Sequence, residues 1–305
     1  MKKENKYSLL IILAGMFWGT QGLFVIALGD SGLSSRDIAA VRVLTATMAF
    51  LLIILVRDRS LFRVHIKDIW LFALSGVISI VGFNIFYYSS ISLTSVPVAA
   101  VLLYVSPAIV TILSQVLFHE PYSMRKGISL LFAFAGCFFV SGILGQGNKV
   151  SIPGVAAGLL AAFCYAMYSI FSAMILRKQY HPLTSIVYTF LFASAGMLFI
   201  ADKKALIHAA RQDGAALLFI LFGVISCVLP YFLYTVSLGY IEAGKAAILS
   251  SVEAVSATIY SIIFTHNRVQ LEVIAGIICV LISVVLVNTK GRDTGCKSKA
   301  GRQHR

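Results

Sequence analysis

GVISIVGFNIFYYSSISLTSVPVAA (Gly76–Ala100) and GVISCVLPYFLYTVSLGYIEAGKAA (Gly223–Ala247) are two pieces of one pattern, 147 positions apart. Gly76-Val77-Ile78-Ser79 meets Gly223-Val224-Ile225-Ser226, Tyr87 meets Tyr234, Ser90 meets Ser237, and Ala99-Ala100 meets Ala246-Ala247. The register holds without a gap from about Leu13 to His119, pairing Thr111 with Thr258 and His119 with His266. A small shift then sets Gly127 opposite Gly276. Apolar segments share Leu and Val by chance; a Gly-Val-Ile-Ser run held in one register across several segments is a repeat.

Outward from this pair, the chain is a succession of apolar stretches. Of its 305 residues 59% are hydrophobic and 12% charged, with a mean hydropathy of +0.91. Soluble domains carry roughly 25% charged residues, so no polar shell is encoded. Ten spans of membrane-crossing length are expected: Tyr7–Leu28, Ile38–Val56, Ile69–Ile91, Val98–Phe118, Gly127–Leu144, Val155–Leu176, Leu183–Ala201, Ala215–Leu238, Ala246–Phe264 and Val273–Val287. The first is read as a retained helix, because the apolar run after Lys2-Lys3-Glu4 is too long for a signal peptide. The expected fold is an all-α integral membrane protein of two five-helix repeats, 7–144 and 150–288, with a basic tail, 289–305.

Parity gives the repeat its consequence. An odd number of spans per half makes the second half enter the membrane from the opposite side. The two halves are then related by a pseudo-two-fold axis in the membrane plane, with a solute site at the midplane between them.

Net charge is +13, which invites a nucleic-acid reading, but the cations sit in short links and in the tail. That is how topology signals are placed. With a cytoplasmic N-terminus, eighteen basic residues fall on inside links, among them Lys2, Lys3, Lys6, Arg57, Arg59, Arg63 and Lys67, and six fall outside, among them Arg36, Lys149, Lys203 and Arg268. Both termini are therefore expected in the cytoplasm, in a plasma or inner membrane. The partners expected are the bilayer and a small-molecule substrate, with no nucleic acid. Cys137, Cys164, Cys227 and Cys279 fall in apolar runs and Cys296 in the tail, so neither disulfides nor a metal or other cofactor is expected.

Phe17-Trp18-Gly19, the Ala99–Pro107 stretch with Leu102-Leu103-Tyr104 and Ser106-Pro107, His119-Glu120, and Leu249–Glu253, taken with the repeat, resemble the drug/metabolite transporter superfamily in its ten-helix branch with two EamA-type repeats. The resemblance runs from about Leu9 to Val287. It implies secondary transport of small metabolites, often amino acids or related compounds and often outward. Two positions depart from the family pattern. Ala254 stands where a proline often follows the span-nine Glu, which leaves span nine without its kinking residue, and Glu120 has Asn267 as its counterpart.

Only Arg42 and Glu253 place an ionisable acid or base well inside a span. Facing lipid unpaired, either would cost about 2.5–3.5 kcal/mol. Arg42 lies about 9 Å from the outer end of its span, close enough for its stem to snorkel to the interface. Glu253 is central. It can bind a substrate amine, carry a proton, or neutralise Arg42 in one conformation as a gate; the plain alternative is a protonated Glu bonded to neighbouring Ser or backbone groups. On its helix it shares a small, polar face with Leu249, Ser250, Ala257 and Tyr260.

The facing helix of the first half offers Tyr104 and Pro107, and Pro107 frees a carbonyl near Leu103. Asn84, Tyr87 and Tyr88 line up in span three, as do Tyr231, Tyr234 and Thr235 in span eight, while Trp18 and Gln21 of span one have Tyr165 and Tyr168 as counterparts. The expected substrate-binding set is Trp18, Gln21, Asn84, Tyr87, Tyr104, Tyr168, Tyr234, Ser250 and Glu253, with Arg42 and Glu120 as gating or ion-pair residues. Packing is the competing role for the aromatics. An aromatic pocket with one carboxylate suits an amphipathic molecule or a cation over a ring; a phosphate would need several convergent cations. His119-Glu120 lacks a second His at helical spacing for zinc, and a helix-end or gate contact of Glu120 with Arg125 or Lys126 is expected instead.

No Gly-rich Lys-Ser/Thr loop for ATP occurs in the sequence. The expectation is a secondary transporter working by alternating access, with proton coupling open. An intramembrane enzyme would need clustered ionisable groups at the midplane, and a passive channel would need symmetry about a pore axis.

Overall fold

The computed structural model describes residues 2–29, 32–121, 123–141, 151–212, 214–265 and 271–288. The expected tail (289–305), Lys149, and His266, Asn267 and Arg268 lie outside the described residues. Among the described residues nine helices are long and apolar enough to cross a membrane: Glu4–Gly29, Ser35–Arg57, Ile66–Leu93, Val96–Phe118, Ile152–Arg177, Pro182–Ile200, Ala215–Leu238, Ala243–Phe264 and Leu271–Asn288. A further apolar helix of 17 residues, Met124–Val140, occupies the fifth position. These ten are spans one to ten.

The surface is inverted relative to a soluble protein. Val56, Ile152 and Phe199 are among the most exposed side chains, while Ser75, Ser90, Ser172, Thr189, Ser226 and Thr235 are fully buried. Small hydroxyl-bearing residues let helices approach closely and satisfy their polar atoms within the bundle. Ser90 Oγ donates to Gly154 O at 2.9 Å, and Ser283 Oγ to Ser129 O at 2.7 Å.

Equivalent spans run antiparallel, as two inverted halves require. The start of span two meets the end of span seven, where Asp202 N–H donates to Asp37 Oδ1 at 2.9 Å; the other ends meet where Thr184 Oγ1 donates to Leu61 O at 2.8 Å. Spans five and ten cross with Gly136 on Gly276, where a Cβ on either glycine would lie within 2.8 Å of the other's carbonyl oxygen. The end of span four meets the start of span nine. The halves also interleave: span one packs on spans eight and nine, and span six on spans three and four.

Repeat-equivalent irregularities interrupt the helices. The Gly-Val-Ile-Ser runs lie at π-helical segments, Val77–Gly82 and Val224–Val228. Such insertions widen a helix locally and recur at functional sites. Span four divides into Val96–Leu103 and Ser106–Phe118, and span nine into Ala243–Ser250 and Val252–Thr265. Pro107 explains the first break. The second forms without a proline, against the expectation from Ala254. Span one packs closely on it: a Cβ on Gly15 would stand 3.2 Å from both Ser250 O and Glu253 N, so a bare glycine backs directly onto the opened backbone. The sequence also treats 202–214 as link, whereas Lys203–Ala210 is a short helix capped by Asp202, whose carboxylate accepts from Lys204 N–H at 2.9 Å.

Candidate functional site

The two breaks face each other and enclose a cavity between the halves. Ser106, Pro107 and Val110 come from span four, Ala247 and Ser250 from span nine, Trp18 from span one, and Tyr165, Tyr168 and Ser169 from span six; Ser79, Tyr231 and Tyr234 complete the wall. Ser79 lies in a π-helical segment, and Tyr231 and Tyr234 lie in the helix that continues the second such segment. The free volume is about 20 Å³, room for roughly one water molecule.

The rings form an ordered box. Trp18 meets Tyr231 edge-on at 5.3 Å and Tyr234 at 5.4 Å, and Tyr168 meets Tyr231 edge-on at 4.9 Å. Their hydroxyls are fixed: Tyr168 Oη lies 2.6 Å from Thr235 Oγ1, and Tyr234 Oη 2.7 Å from Ser169 Oγ. Edge-to-face rings tied at their polar ends form a rigid wall. The counterpart of Trp18, Tyr165, heads a second aromatic group with Phe83 at 5.4 Å, which stacks on Tyr87 at 5.3 Å. Tyr165 both lines the cavity and donates its hydroxyl to Glu253 Oε2 at 3.3 Å.

Trp18, Tyr168, Tyr234 and Ser250 of the expected set thus line the cavity. Glu253 stands one residue behind the wall, held by Tyr165. Tyr87 belongs to the second aromatic group, and Tyr104 packs in an apolar cluster beside Cys137 and Val252. Asn84 does not reach the cavity: it is buried and its Nδ2 donates to Ile80 O at 2.7 Å, closing onto its own helix at the π-helical segment. Gln21 accepts from the Arg42 guanidinium. Arg42 is buried rather than extended to the interface. The sequence-based set omits Tyr165, Tyr231, Ser79, Ser106, Ser169 and the apolar wall residues; the pairing of Trp18 with Tyr165 in the repeat register is the signal that marks Tyr165.

Glu120 departs from expectation. Its carboxylate accepts from the N–H groups of Ala243, at 2.9 Å, and Gly244, at 3.3 Å. The free amides and dipole of a helix start favour such an anion. Lys126, one of the two partners expected for it, instead pairs with Glu242 and donates to Pro121 O. Beside these, Lys245 pairs with Glu4 at 2.9 Å and Tyr7 stacks on Tyr240 at 3.9 Å. This end of the bundle is latched by polar contacts among spans one, four, five and nine and the link before span nine.

The comparisons with known proteins agree with this architecture. The model of the EamA-like transporter family matches twice, over residues 5–142 and 152–289. The chain is 24% identical over 295 residues to the uncharacterized transporter YwfM of Bacillus subtilis, covering 95% of this chain and 96% of the relative. It is 24% identical over 300 residues to the uncharacterized inner membrane transporter YicL of Salmonella typhimurium, covering 96% and 98%. A solved crystal structure superimposes with a TM-score of 0.79 at 16% identity, over 93% of this chain and 96% of that one, which shows a shared fold. With both halves matched, the chain belongs to the EamA-like transporter family and is a multi-pass membrane transporter.

Proposed function

We propose that the chain is a secondary transporter of small organic metabolites, of the amino-acid or related amphipathic amine class, working by alternating access at the slot between spans four and nine. Both termini lie in the cytoplasm of a plasma or inner membrane in this reading, and the chain has no catalytic role. The observation that carries it is the cavity at two repeat-equivalent helix breaks, walled by both halves and too small for a solute in this conformation. A site shared by inverted halves opens to one side or the other as they rock. The Glu120 latch is the cytoplasmic gate, and Glu253 holds either the substrate amine or a transported proton.

Counterflow in proteoliposomes tests this reading. Vesicles preloaded with unlabelled amino acid accumulate labelled amino acid transiently, with saturation, if the protein is a carrier. Linear flux would make it a pore, and chemically altered solute would make it an enzyme.

A further inference from the structure

Arg42 is 5% exposed and lies in the second span, yet among the described residues it forms no salt bridge. Its Nη1 donates to the neutral Gln21 Oε1, and its Nε has no partner. Among the described residues no carboxylate pairs with it. A buried guanidinium is held stably when an anion and hydrogen bonds complete it. Glu253 is within electrostatic reach of it, but that carboxylate is held by the Tyr165 hydroxyl. The partner of Arg42, Gln21, follows Trp18, a wall of the cavity, by three residues in span one. An anion held by Tyr165 and a cation tied to span one next to Trp18 thus accompany the slot, one from each half.

The repeat-equivalent positions carry no charge. In the repeat register Arg42 corresponds to Thr189, which donates to Ser75 Oγ at 2.9 Å, and Glu253 corresponds to Ser106. Both counterparts carry a neutral hydroxyl instead.

We propose that Arg42 binds a carboxylate of the transported solute, so that the substrate is a zwitterion with its ammonium at Glu253 and its acid group at Arg42. This rests on the slot being the solute site. One planar guanidinium fork matches one carboxylate; a phosphate would call for more cations than the slot holds.

Trp18 reports on the site. The chain has two tryptophans, and Trp70 is about half exposed on the outer surface, so Trp70→Phe leaves Trp18 alone in the cavity. The purified Trp70→Phe protein is titrated with leucine, methionine and phenylalanine, with their carboxamides, and with their N-acetyl derivatives, following Trp18 fluorescence. The free acids are expected to give a saturable change, with the amides at least tenfold weaker. Arg42→Gln should remove the preference for acid over amide, Arg42→Lys should keep part of it, and Glu253→Gln should instead remove the preference for free amine over N-acetyl. Circular dichroism and gel filtration verify that each variant is folded. Equal binding of acid and amide by the parent, or an unchanged preference in Arg42→Gln and Arg42→Lys, overturns the inference. So does recovery of the parent profile in Arg42→Gln/Glu253→Gln, which would make the two residues partners of each other only. Binding of amides but not acids overturns it while leaving the slot as a solute site; silence from the whole series overturns both.

Discussion

Thr47 Oγ1 and Ser194 Oγ lie 2.6 Å apart, and the two residues are separated by the 147 positions that relate the halves. Equivalent positions touch each other only near the axis that exchanges them. Thr47 also donates to Val43 O at 2.7 Å, on its own helix, and lies 3.1 Å from Phe190 O on the opposing one. A rocking motion displaces atoms least along its axis, so this contact between spans two and seven is the pivot of the proposed cycle.

A Thr47→Cys/Ser194→Cys pair in a background free of the native cysteines should therefore form a disulfide that leaves transport close to the uncross-linked level, within about twofold, because side chains this close suit disulfide geometry. Counterflow before and after reduction checks this. Loss of transport on oxidation would place the pivot elsewhere.

Glu120→Ala removes the anion at the start of span nine. Helix-terminus charges and caps contribute about 1 kcal/mol, and 1.4 kcal/mol is a tenfold population change. Labelling of a Ser114→Cys reporter, buried beside Gly244, by an impermeant maleimide from the cytoplasmic side should rise about five- to tenfold. Glu120→Gln, which keeps an acceptor oxygen, should fall between. Unchanged labelling would show that the latch does not hold this end closed.

Glu253→Gln preserves an acceptor for the Tyr165 hydroxyl and removes the titrating group. Protein abundance should be unchanged, while coupled transport either falls at least tenfold or loses its dependence on pH. Uptake measured from about pH 5 to 8 decides, and a parent-like rate with a parent-like profile would take Glu253 out of the mechanism.

The crossing of spans five and ten tolerates no side chain. A Cβ at Gly276 would sit 2.8 Å from Val140 N, and one at Gly136 the same distance from Val280 N. Gly276→Val should cost about 1–3 kcal/mol through overpacking and lower the thermal midpoint and the yield. Gly22, where an added Cβ would meet nothing within 4 Å, should accept Ala without loss. Equal midpoints for both variants would contradict the packing.

Hydropathy, the repeat register and parity make the ten spans and their inversion legible in the sequence, because a bilayer imposes length and apolarity on every crossing segment. The break at Ser251 is not legible: no proline marks it, and the glycine packed against it, Gly15, comes from span one. The latch has the same character. Glu120 and Lys126 are near neighbours in sequence, so a local ion pair is the natural reading, yet the amides of Ala243 and Gly244 reach Glu120 from more than a hundred residues away. Periodicity places Asn84 on the polar face of span three; its side chain instead bonds back to Ile80 O, four residues earlier on its own helix.

Alternating exposure of the slot is the central claim, and a single cysteine tests it. Ser250→Cys, in a protein free of other cysteines, is exposed to an impermeant maleimide from one face or the other of sealed vesicles. Labelling from both faces is expected, and joining Thr111→Cys to Gly244→Cys across the latch with a short cross-linker should abolish only the cytoplasmic component. Labelling from one face alone under every condition would contradict the account.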